Sequence, residues 1–317
     1  MCPRCSQTDL MILGSTLDAI GNTPLVRLRH TVPDGAAQVL VKLEGGNPTG
    51  SYKDRMALAI IEGAERRGVL RPGRRVVEYT GGSTGSSLAF ICAVKGYPLT
   101  LVSSDAFAAE KLRTMRVFGA DLVVVPSDEG RITPDLFVRM RAEVDRIIER
   151  DDAFWTDQFN NTDALDGYAV LGQEILEQAA GTTLDVFCAA VGTGGMLVGV
   201  GQAIRPKVAR IVALEPASSP MLTAGYGGPH RVEGTATGTI PPLLTPNTYD
   251  DARAIEESQA RQLVKPLARR DGIFAGTSSA LNILGAIQLA TELTPAQTVV
   301  TVAADTGLKY LSGDLYS

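Results

Sequence analysis

Histidine and cysteine are scarce in this chain, and their scarcity excludes several kinds of active site. The 317 residues contain two histidines and four cysteines. Two histidines argue against a multi-histidine metal centre and against a histidine-based catalytic triad. Cys92 and Cys188 fall within apolar runs, so we expect reduced core residues. Cys2 and Cys5 have the spacing of half a zinc site, but no second cysteine pair follows, so we predict a frayed terminus and no metal site.

The sequence also lacks an excess of positive charge and any apolar run long enough to span a membrane. Its formal net charge of −5 argues against nucleic acid or an anionic membrane as the main partner. Residues 1–7 lack the charged and apolar regions of a signal peptide. We therefore expect a cytoplasmic protein that acts on small molecules. Its length predicts two domains or lobes.

Short apolar runs alternate with helical periodicities along most of the chain. Runs enriched in β-branched residues predict strands at 39–43, 75–79, 99–102, 122–125, 186–191, 211–215 and 298–302, and the turn that begins at Gly21 leads into a further short strand. Apolar spacing predicts helices after residue 53 and at 108–118, 134–150, 163–178, 256–265 and 279–291. This alternation predicts an α/β fold with parallel strands covered by helices on both faces. Segment 217–247 lacks apolar periodicity and is predicted to be an irregular connection.

Lys53 lies where a predicted strand turns into a helix. Ser51 and Asp54 beside it have the spacing of a capping box. The helix dipole and the loss of water at this point both disfavour the ammonium form of the lysine. A lysine of lowered pKa suits imine chemistry, because only the neutral amine attacks an aldehyde. The three-residue interval from Gly50 to Lys53 excludes a triphosphate-binding loop, and an ordinary surface lysine is the remaining alternative.

A loop dense in hydroxyl groups follows the next predicted strand. Residues 80–87 include five serines and threonines at a strand-to-helix junction. Backbone N–H groups and hydroxyls at such a junction suit a carboxylate, such as that of an amino acid. The alternative is simple helix capping by Ser83 or Thr84, which requires one hydroxyl rather than five.

A glycine loop, Gly192 to Gly195, lies between another predicted strand and helix. Such a loop allows backbone N–H groups to approach a phosphate, although a plain tight turn has the same composition. A dinucleotide site is a further alternative, with Glu215 where a ribose-binding acid would lie. Leu197 argues against it, because it occupies the position of the third glycine in that motif.

The last candidate elements are the turn at 276–279 and the end of the final strand. Ser278 opens a predicted helix, where its hydroxyl either caps the helix or bonds a pyridine nitrogen without keeping it protonated. Asp305 and Thr306 follow a predicted strand, and ligands gather at the carboxyl ends of strands. The spacing of these residues does not choose between the three for the ring nitrogen.

With these loops in this order, the chain resembles the cysteine synthase family, which includes O-acetylserine sulfhydrylase and cystathionine β-synthase. These enzymes depend on pyridoxal phosphate and have the tryptophan synthase β-type fold. The resemblance runs from Gly21-Asn22-Thr23-Pro24-Leu25 to Lys309-Tyr310-Leu311-Ser312 and is most specific at Asn47-Pro48-Thr49-Gly50-Ser51-Tyr52-Lys53-Asp54-Arg55. It implies that Lys53 carries the cofactor as a Schiff base and later donates and accepts a proton.

The resemblance also implies roles for residues of the other loops. Substrate binding falls to Thr80, Gly81, Gly82, Ser83, Thr84 and Gln158. Cofactor binding falls to Lys53, Ser83, Gly192, Thr193, Gly194, Gly195 and Ser278, the last of these at the pyridine nitrogen. Three departures from the family pattern bear on substrate choice: Ser83 replaces a usual asparagine, Met196 a common threonine and Ala280 a usual glycine.

The implied architecture has two lobes, each an open, mostly parallel sheet flanked by helices. We expect residues 47–160 to form a smaller, partly mobile lobe that carries Lys53 and the substrate-carboxylate loop. Residues 1–46 and 161–317 would form the larger lobe, which carries the phosphate loop. The family also implies a homodimer.

The implied reaction is β-replacement on an activated serine such as O-acetylserine, with sulfide or another nucleophile. β-Elimination, as in serine or threonine dehydratases or in the release of sulfide from cysteine, is the alternative within the same chemistry. Two readings from other classes remain: an NAD-binding oxidoreductase, and a catalytically silent protein that binds the cofactor.

Overall fold

The computed structural model describes residues 12–130 and 133–317. The prediction for Cys2 and Cys5 therefore lies outside the described residues. The strands are β1 (Leu25–Arg27), β2 (Gln38–Leu43), β3 (Val76–Tyr79), β4 (Leu99–Ser104), β5 (Asp121–Val125), β6 (Phe154–Trp155), β7 (Leu184–Ala190), β8 (Val208–Pro216), β9 (Asp251–Ile255) and β10 (Thr298–Ala303). The α-helices are α1 (Lys53–Arg66), α2 (Ser83–Lys95), α3 (Ala109–Val117), α4 (Pro134–Asp151), α5 (Asp163–Gln178), α6 (Gly195–Ile204), α7 (Glu257–Pro266) and α8 (Thr277–Thr291).

The strands form two sheets. The larger sheet has the order β1-β2-β10-β7-β8-β9, and the smaller has the order β5-β4-β3-β6. The β1–β2 pair is antiparallel and every other pair is parallel. The predicted α/β class, with mostly parallel sheets flanked by helices, is confirmed. The strands of the smaller sheet fall within 76–155, while the proposed lobe boundaries and the mobility of residues 47–160 stay predictions.

The larger sheet is buried on both faces, which is why its central strands β10 and β7 are mostly apolar. Val299 of β10 packs into a core with α7 and α8, whereas its neighbour Val300 packs into a second core with α5 and α6. Alternate residues of a strand point to opposite faces, so one apolar run supplies both cores.

Two strands escaped prediction because they lack a fully buried apolar run. Strand β6 is two residues long, and β9 (Asp251–Ile255) is a partly exposed edge strand. Segment 217–247 contains no helix or strand, as predicted. No helix in the described ranges is long and apolar enough to cross a membrane.

Candidate active site

The loop that carries Lys53 is bound to the carboxyl end of β10. Ser51 forms an antiparallel bridge with Asp305. The Tyr52 N–H donates to the Ala304 carbonyl at 3.0 Å, just before it. Because β10 lies in the middle of the larger sheet, these bonds place Lys53 at the carboxyl edge of the strands, where ligands of α/β proteins collect.

The capping box predicted at this helix is wrong. The Lys53 N–H donates to the Ser51 hydroxyl at 3.2 Å, as a capping serine would allow. The Asp54 carboxylate, however, accepts from the backbone N–H of Thr49 at 2.8 Å and from the Thr49 hydroxyl. The acid therefore closes the loop that precedes the helix and does not cap the helix itself.

The Lys53 ammonium has no counter-ion within the part of the chain that the structure describes. It lies 4.8 Å from the centre of the Tyr52 ring. Among the described residues, no side chain or carbonyl accepts a hydrogen bond from it. Desolvation lowers the pKa of Lys53 to about 8. The lowered pKa expected from the sequence is confirmed, and its main cause is the loss of water.

A buried network of charges fixes helix α1 to the larger sheet. The Arg55 guanidinium pairs with Glu44 at 2.7 Å and with Glu174 of α5 at 2.7 Å. Lys42 of β2 donates to the second oxygen of Glu174, also at 2.7 Å. Burial would raise the pKa of Glu174, but the hydrogen bonds from Arg55 and Lys42 outweigh it and hold that pKa at about 2. Since Arg55 lies two positions after Lys53, this network orients the first turn of α1.

The hydroxyl loop connects to the other candidate residues of its sheet. The Thr84 hydroxyl donates to the Gln158 side-chain oxygen at 2.8 Å, which joins two predicted substrate-binding residues. The Thr80 hydroxyl accepts from the Gly82 N–H at 3.2 Å. No side chain caps α2, so capping does not account for Ser83 or Thr84.

Glu78, which the sequence did not suggest, supports this loop from behind. It is fully buried on β3 and accepts hydrogen bonds from the Thr156 hydroxyl, the Trp155 indole at 3.2 Å and the Gln158 N–H at 3.1 Å. Burial raises the pKa of Glu78 to about 7, against the lowering effect of these donors. An acid within a run such as Val-Val-Glu-Tyr is the signal that could have identified it.

The glycine loop has the backbone that a phosphate cradle needs. Gly194 has a φ of 83°, in the left-handed region, and forms the N-cap of α6. A Cβ on Gly192 would lie 2.2 Å from the Gly234 carbonyl oxygen. In the described part of the chain, no acceptor meets the N–H groups of Thr193, Gly194, Gly195 or Met196. A row of unpaired N–H groups at a helix N-terminus suits a phosphate.

Aromatic rings connect the glycine loop to the loop that carries Lys53, here called the lysine loop (residues 47–55). A Cβ on Gly195 would contact the Tyr168 ring at 3.4 Å. The Tyr168 ring lies 5.5 Å from that of Tyr52, centre to centre, and Tyr52 in turn lies below the Lys53 ammonium. The two loops therefore belong to one site.

The structure distinguishes among the three candidates for a pyridine nitrogen. Asp305 accepts hydrogen bonds from the Tyr310 hydroxyl at 2.6 Å, the Ser279 hydroxyl at 3.2 Å and the Gly276 N–H at 3.2 Å. The Thr306 hydroxyl caps the short helix that follows it. Ser278 is the second residue of α8, is largely buried, and its hydroxyl has no partner among the described residues. Ser278 is thus the group left available for a ligand.

Glu215 has a structural role that the dinucleotide hypothesis did not foresee. Its carboxylate accepts from the Leu222 N–H at 2.7 Å and from the Thr223 N–H at 2.8 Å and hydroxyl at 2.7 Å. With both oxygens engaged in the irregular segment, the acid is not presented to a ribose.

These residues fit pyridoxal phosphate. The unpaired N–H groups at α6 suit its phosphate, the unpartnered Ser278 hydroxyl suits its pyridine nitrogen, and a lysine with a pKa of about 8 suits its aldehyde.

Comparison with known proteins decides the family. Residues 16–305 match the profile of the family described as "Pyridoxal-phosphate dependent enzyme". The chain belongs to this family. It is therefore an enzyme that depends on pyridoxal phosphate.

Individual relatives match almost end to end. A cysteine synthase of Staphylococcus aureus is 41% identical over 304 residues, covering 94% of this chain and 95% of the relative. An O-ureido-L-serine synthase of Streptomyces lavendulae is 37% identical over 310 residues, covering 96% and 93%. The crystal structure of O-acetylserine sulfhydrylase isoform 3 from Entamoeba histolytica has a TM-score of 0.91 at 32% identity, covering 98% and 94%.

Within this family of pyridoxal-phosphate enzymes, the three departures of the chain lie in different surroundings. Met196 and Ala280 are buried in the two apolar cores of the larger sheet. Ser83 is partly exposed at the start of α2, and its hydroxyl accepts from the Lys309 ammonium at 3.0 Å. Ser83 is therefore the departure that changes the polar surface of the loop.

Proposed function

We propose that this pyridoxal-phosphate enzyme replaces the β-substituent of an activated serine. O-acetylserine and sulfide would give cysteine and acetate. The observation that carries the proposal is that Lys53, which has no counter-ion among the described residues, lies with the hydroxyl loop and the glycine loop at one edge of the strands. The chain is also 41% identical to a cysteine synthase.

The phosphate loop and two side chains would hold the cofactor. Residues Gly192, Thr193, Gly194 and Gly195 would bind its phosphate through the N–H groups at the start of α6. The Ser278 hydroxyl would bond its pyridine nitrogen, and Ser83 would lie near its ring oxygen. Pyridoxal phosphate supplies an electron-accepting ring, which makes the α-proton of an amino acid removable and a β-leaving group expellable.

Lys53 would carry the proton transfers. Its amine would remove the proton from the substrate α-carbon and later return one to the same carbon. Desolvation favours this role, because a lysine with a pKa of about 8 has a much larger neutral fraction near physiological pH than a lysine with the ordinary pKa of 10.5.

The loop from Thr80 to Thr84, with Gln158, would bind the substrate carboxylate. The Thr84–Gln158 hydrogen bond fixes the two side chains in one orientation, and Glu78 holds the Gln158 backbone. Residues 47–160 would close on the larger lobe and exclude water from the reacting carbon.

We also propose a homodimer, as the family resemblance implies. Sedimentation at twice the chain mass would support the dimer, and sedimentation at the chain mass would refute it.

The decisive experiment follows the visible absorption of purified holoenzyme. We expect a yellow protein whose band shifts when O-acetylserine is added and returns when sulfide is supplied, with cysteine and acetate as products. Lys53→Ala should lose turnover altogether. A protein that stays colourless with added pyridoxal phosphate, or a Lys53→Ala variant with near-normal rates, would overturn the proposal.

A second candidate is β-replacement with a different nucleophile. The relative that is an O-ureido-L-serine synthase, at 37% identity, favours it. Product analysis with sulfide, with hydroxyurea and with no nucleophile separates the options. Pyruvate and ammonia formed equally with and without sulfide would instead indicate β-elimination.

A further inference from the structure

Lys309, near the C-terminal end of the chain, reaches the hydroxyl loop (residues 80–87). Lys309 lies in the short 3₁₀ helix Gly307–Tyr310, and its side chain passes beside Gly50, where a Cβ would lie 3.6 Å from its Cε. Its ammonium ends 3.0 Å from the Ser83 hydroxyl, 226 positions away in the sequence. Lys309 therefore spans the lysine loop and the hydroxyl loop.

The nearby acids do not account for this position. Asp54 and Asp305 are the carboxylates that attract Lys309, and burial opposes its charge. The oxygens of Asp54 are bonded to Thr49, and those of Asp305 accept from Gly276, Ser279 and Tyr310. Within the described residues, neither acid lies at ion-pair distance from the ammonium, whose one hydrogen bond goes to Ser83.

The start of α2 supplies further donors at the same place. Its N-cap is Gly82, which has no side chain to accept from the N–H groups of Ser83 and Thr84. Ser83 and Lys309 are both partly exposed, so a small molecule can approach them. The Lys309 ammonium donates one hydrogen bond, to Ser83, and its other N–H groups lie beside the N–H groups at the start of α2. Such a cluster of donors is chemically suited to a carboxylate.

We propose that Lys309 binds the α-carboxylate of the amino-acid substrate, with its ammonium held in place by the Ser83 hydroxyl. This inference rests on the proposed function and adds a cationic substrate-binding residue to it. In this arrangement Ser83 accepts from Lys309 and orients its own O–H toward the substrate. The Ser83 departure is thereby linked to Lys309: a short hydroxyl leaves room for the ammonium.

The test compares substrates with and without a carboxylate. Holoenzymes of wild type, Lys309→Met, Lys309→Arg and Lys207→Met are titrated with L-serine and with L-serinamide, followed by the shift of the cofactor's visible band. Lys207 is exposed and remote from the loop, so its variant controls for the lost charge. Steady-state kinetics with O-acetylserine and sulfide are measured in parallel.

We expect Lys309→Met to bind L-serine ~10- to 100-fold more weakly, since a hydrogen bond to a charged group contributes this much. Its affinity for L-serinamide should stay within about twofold of wild type. The KM for O-acetylserine should rise more than kcat falls, Lys309→Arg should recover part of the affinity, and Lys207→Met should match wild type. If Lys309→Met does not fold, Ser83→Ala is titrated instead and should lose discrimination between L-serine and its amide.

Two results would overturn the inference: unchanged binding of L-serine, or an equal loss for L-serine and L-serinamide, which would indicate a structural role. A wild-type enzyme whose spectrum responds to neither L-serine nor O-acetylserine would contradict the proposed function itself, which separates the two failures.

Discussion

At the scale of single residues, several polar groups of the candidate site lack partners within residues 12–130 and 133–317. There Lys53 has no counter-ion, the Ser278 hydroxyl has no hydrogen-bond partner, and the Tyr168 hydroxyl is buried without one. A buried polar group without a hydrogen-bond partner destabilises the folded state, so each of these groups either binds a ligand or lowers the stability of the protein. Substitution distinguishes the two cases.

Cofactor attachment should follow the titration of Lys53. We expect the initial rate at which the apoprotein incorporates pyridoxal phosphate to rise with pH, with a midpoint at about 8. A midpoint near 10.5, the ordinary value for lysine, would contradict the desolvated environment. The sign for stability is opposite to that of a paired lysine. Between pH 8 and 10.5 the unfolded chain binds more protons, so this group makes the apoprotein more stable as pH rises through that window.

Two tyrosine substitutions should shift stability in opposite directions. Tyr168→Phe removes a buried hydroxyl without a partner, so the free energy of unfolding should rise by ~1 kcal/mol. Tyr310→Phe removes a hydroxyl that donates to Asp305 at 2.6 Å, so it should fall by ~1 to 3 kcal/mol. Urea titration of both apoproteins and of the wild type measures the free energy of unfolding. A change of the same sign in both variants would refute this explanation.

At the scale of elements, α1 is fixed by charges that come from three separate segments. Arg55 brings the helix to Glu44 and to Glu174 of α5, and Lys42 joins them from β2. Removing one member of such a buried network leaves an uncompensated charge, which costs more than the network contributes when complete. The first turn of α1, with Lys53, should lose its orientation together with the network.

Glu174→Gln should therefore destabilise the protein by ~3 to 5 kcal/mol and weaken cofactor binding. In the wild type, a carboxyl with its pKa held at about 2 contributes stability above pH 4.5, and this contribution is lost as pH falls from 4.5 to about 2. The variant should lack that part of the acid sensitivity. Glu177→Gln on the exposed face of α5 is the control and should stay within ~0.5 kcal/mol of wild type. A wild-type-like Glu174→Gln would show that the network does not hold α1.

At the scale of the whole molecule, an ion pair connects helix α3 to the irregular segment 217–247. Lys111 of α3 is buried and pairs with the half-exposed Glu233, and its ammonium also lies 5.3 Å from the centre of the Tyr310 ring. The Glu233 N–H in turn donates to the Thr277 hydroxyl at 3.3 Å. This chain of contacts joins the side of the molecule that carries the smaller sheet to the start of α8.

Glu233→Gln should loosen that connection. We expect faster hydrogen exchange in residues 109–117 and 233–236, with a change of less than ~1 kcal/mol in global stability because the pair is partly exposed. Glu256→Gln, an exposed acid at the start of α7, serves as control. If hydrogen exchange in the Glu233 variant is unchanged, this ion pair does not hold α3 against the irregular segment.

The sequence predicted local features well and remote contacts poorly. The bounds of strand β10 and helix α5 were predicted to within one residue. The periodicity of apolar residues and the residues that end an element are both local features of the sequence. The spacing of Ser51 and Asp54 predicted a capping box, but Thr49 competes successfully for the acid. Glu78 was missed: an acid within an apolar run marks an unusual position, but its partners Thr156 and Gln158 are remote in the sequence.

By itself, the sequence determined the α/β class, the three strand-to-helix loops and the position of Lys53 at the start of a helix, since each depends on residues that are neighbours in the chain. Tertiary structure alone decided which of these residues have partners. Asp305 accepts hydrogen bonds from Tyr310 and Ser279, whereas the Ser278 hydroxyl has no partner among the residues that the structure describes. Lys309 meets Ser83 across 226 positions. Contacts of that range arise from how the strands order themselves in the sheets, and no local spacing encodes them.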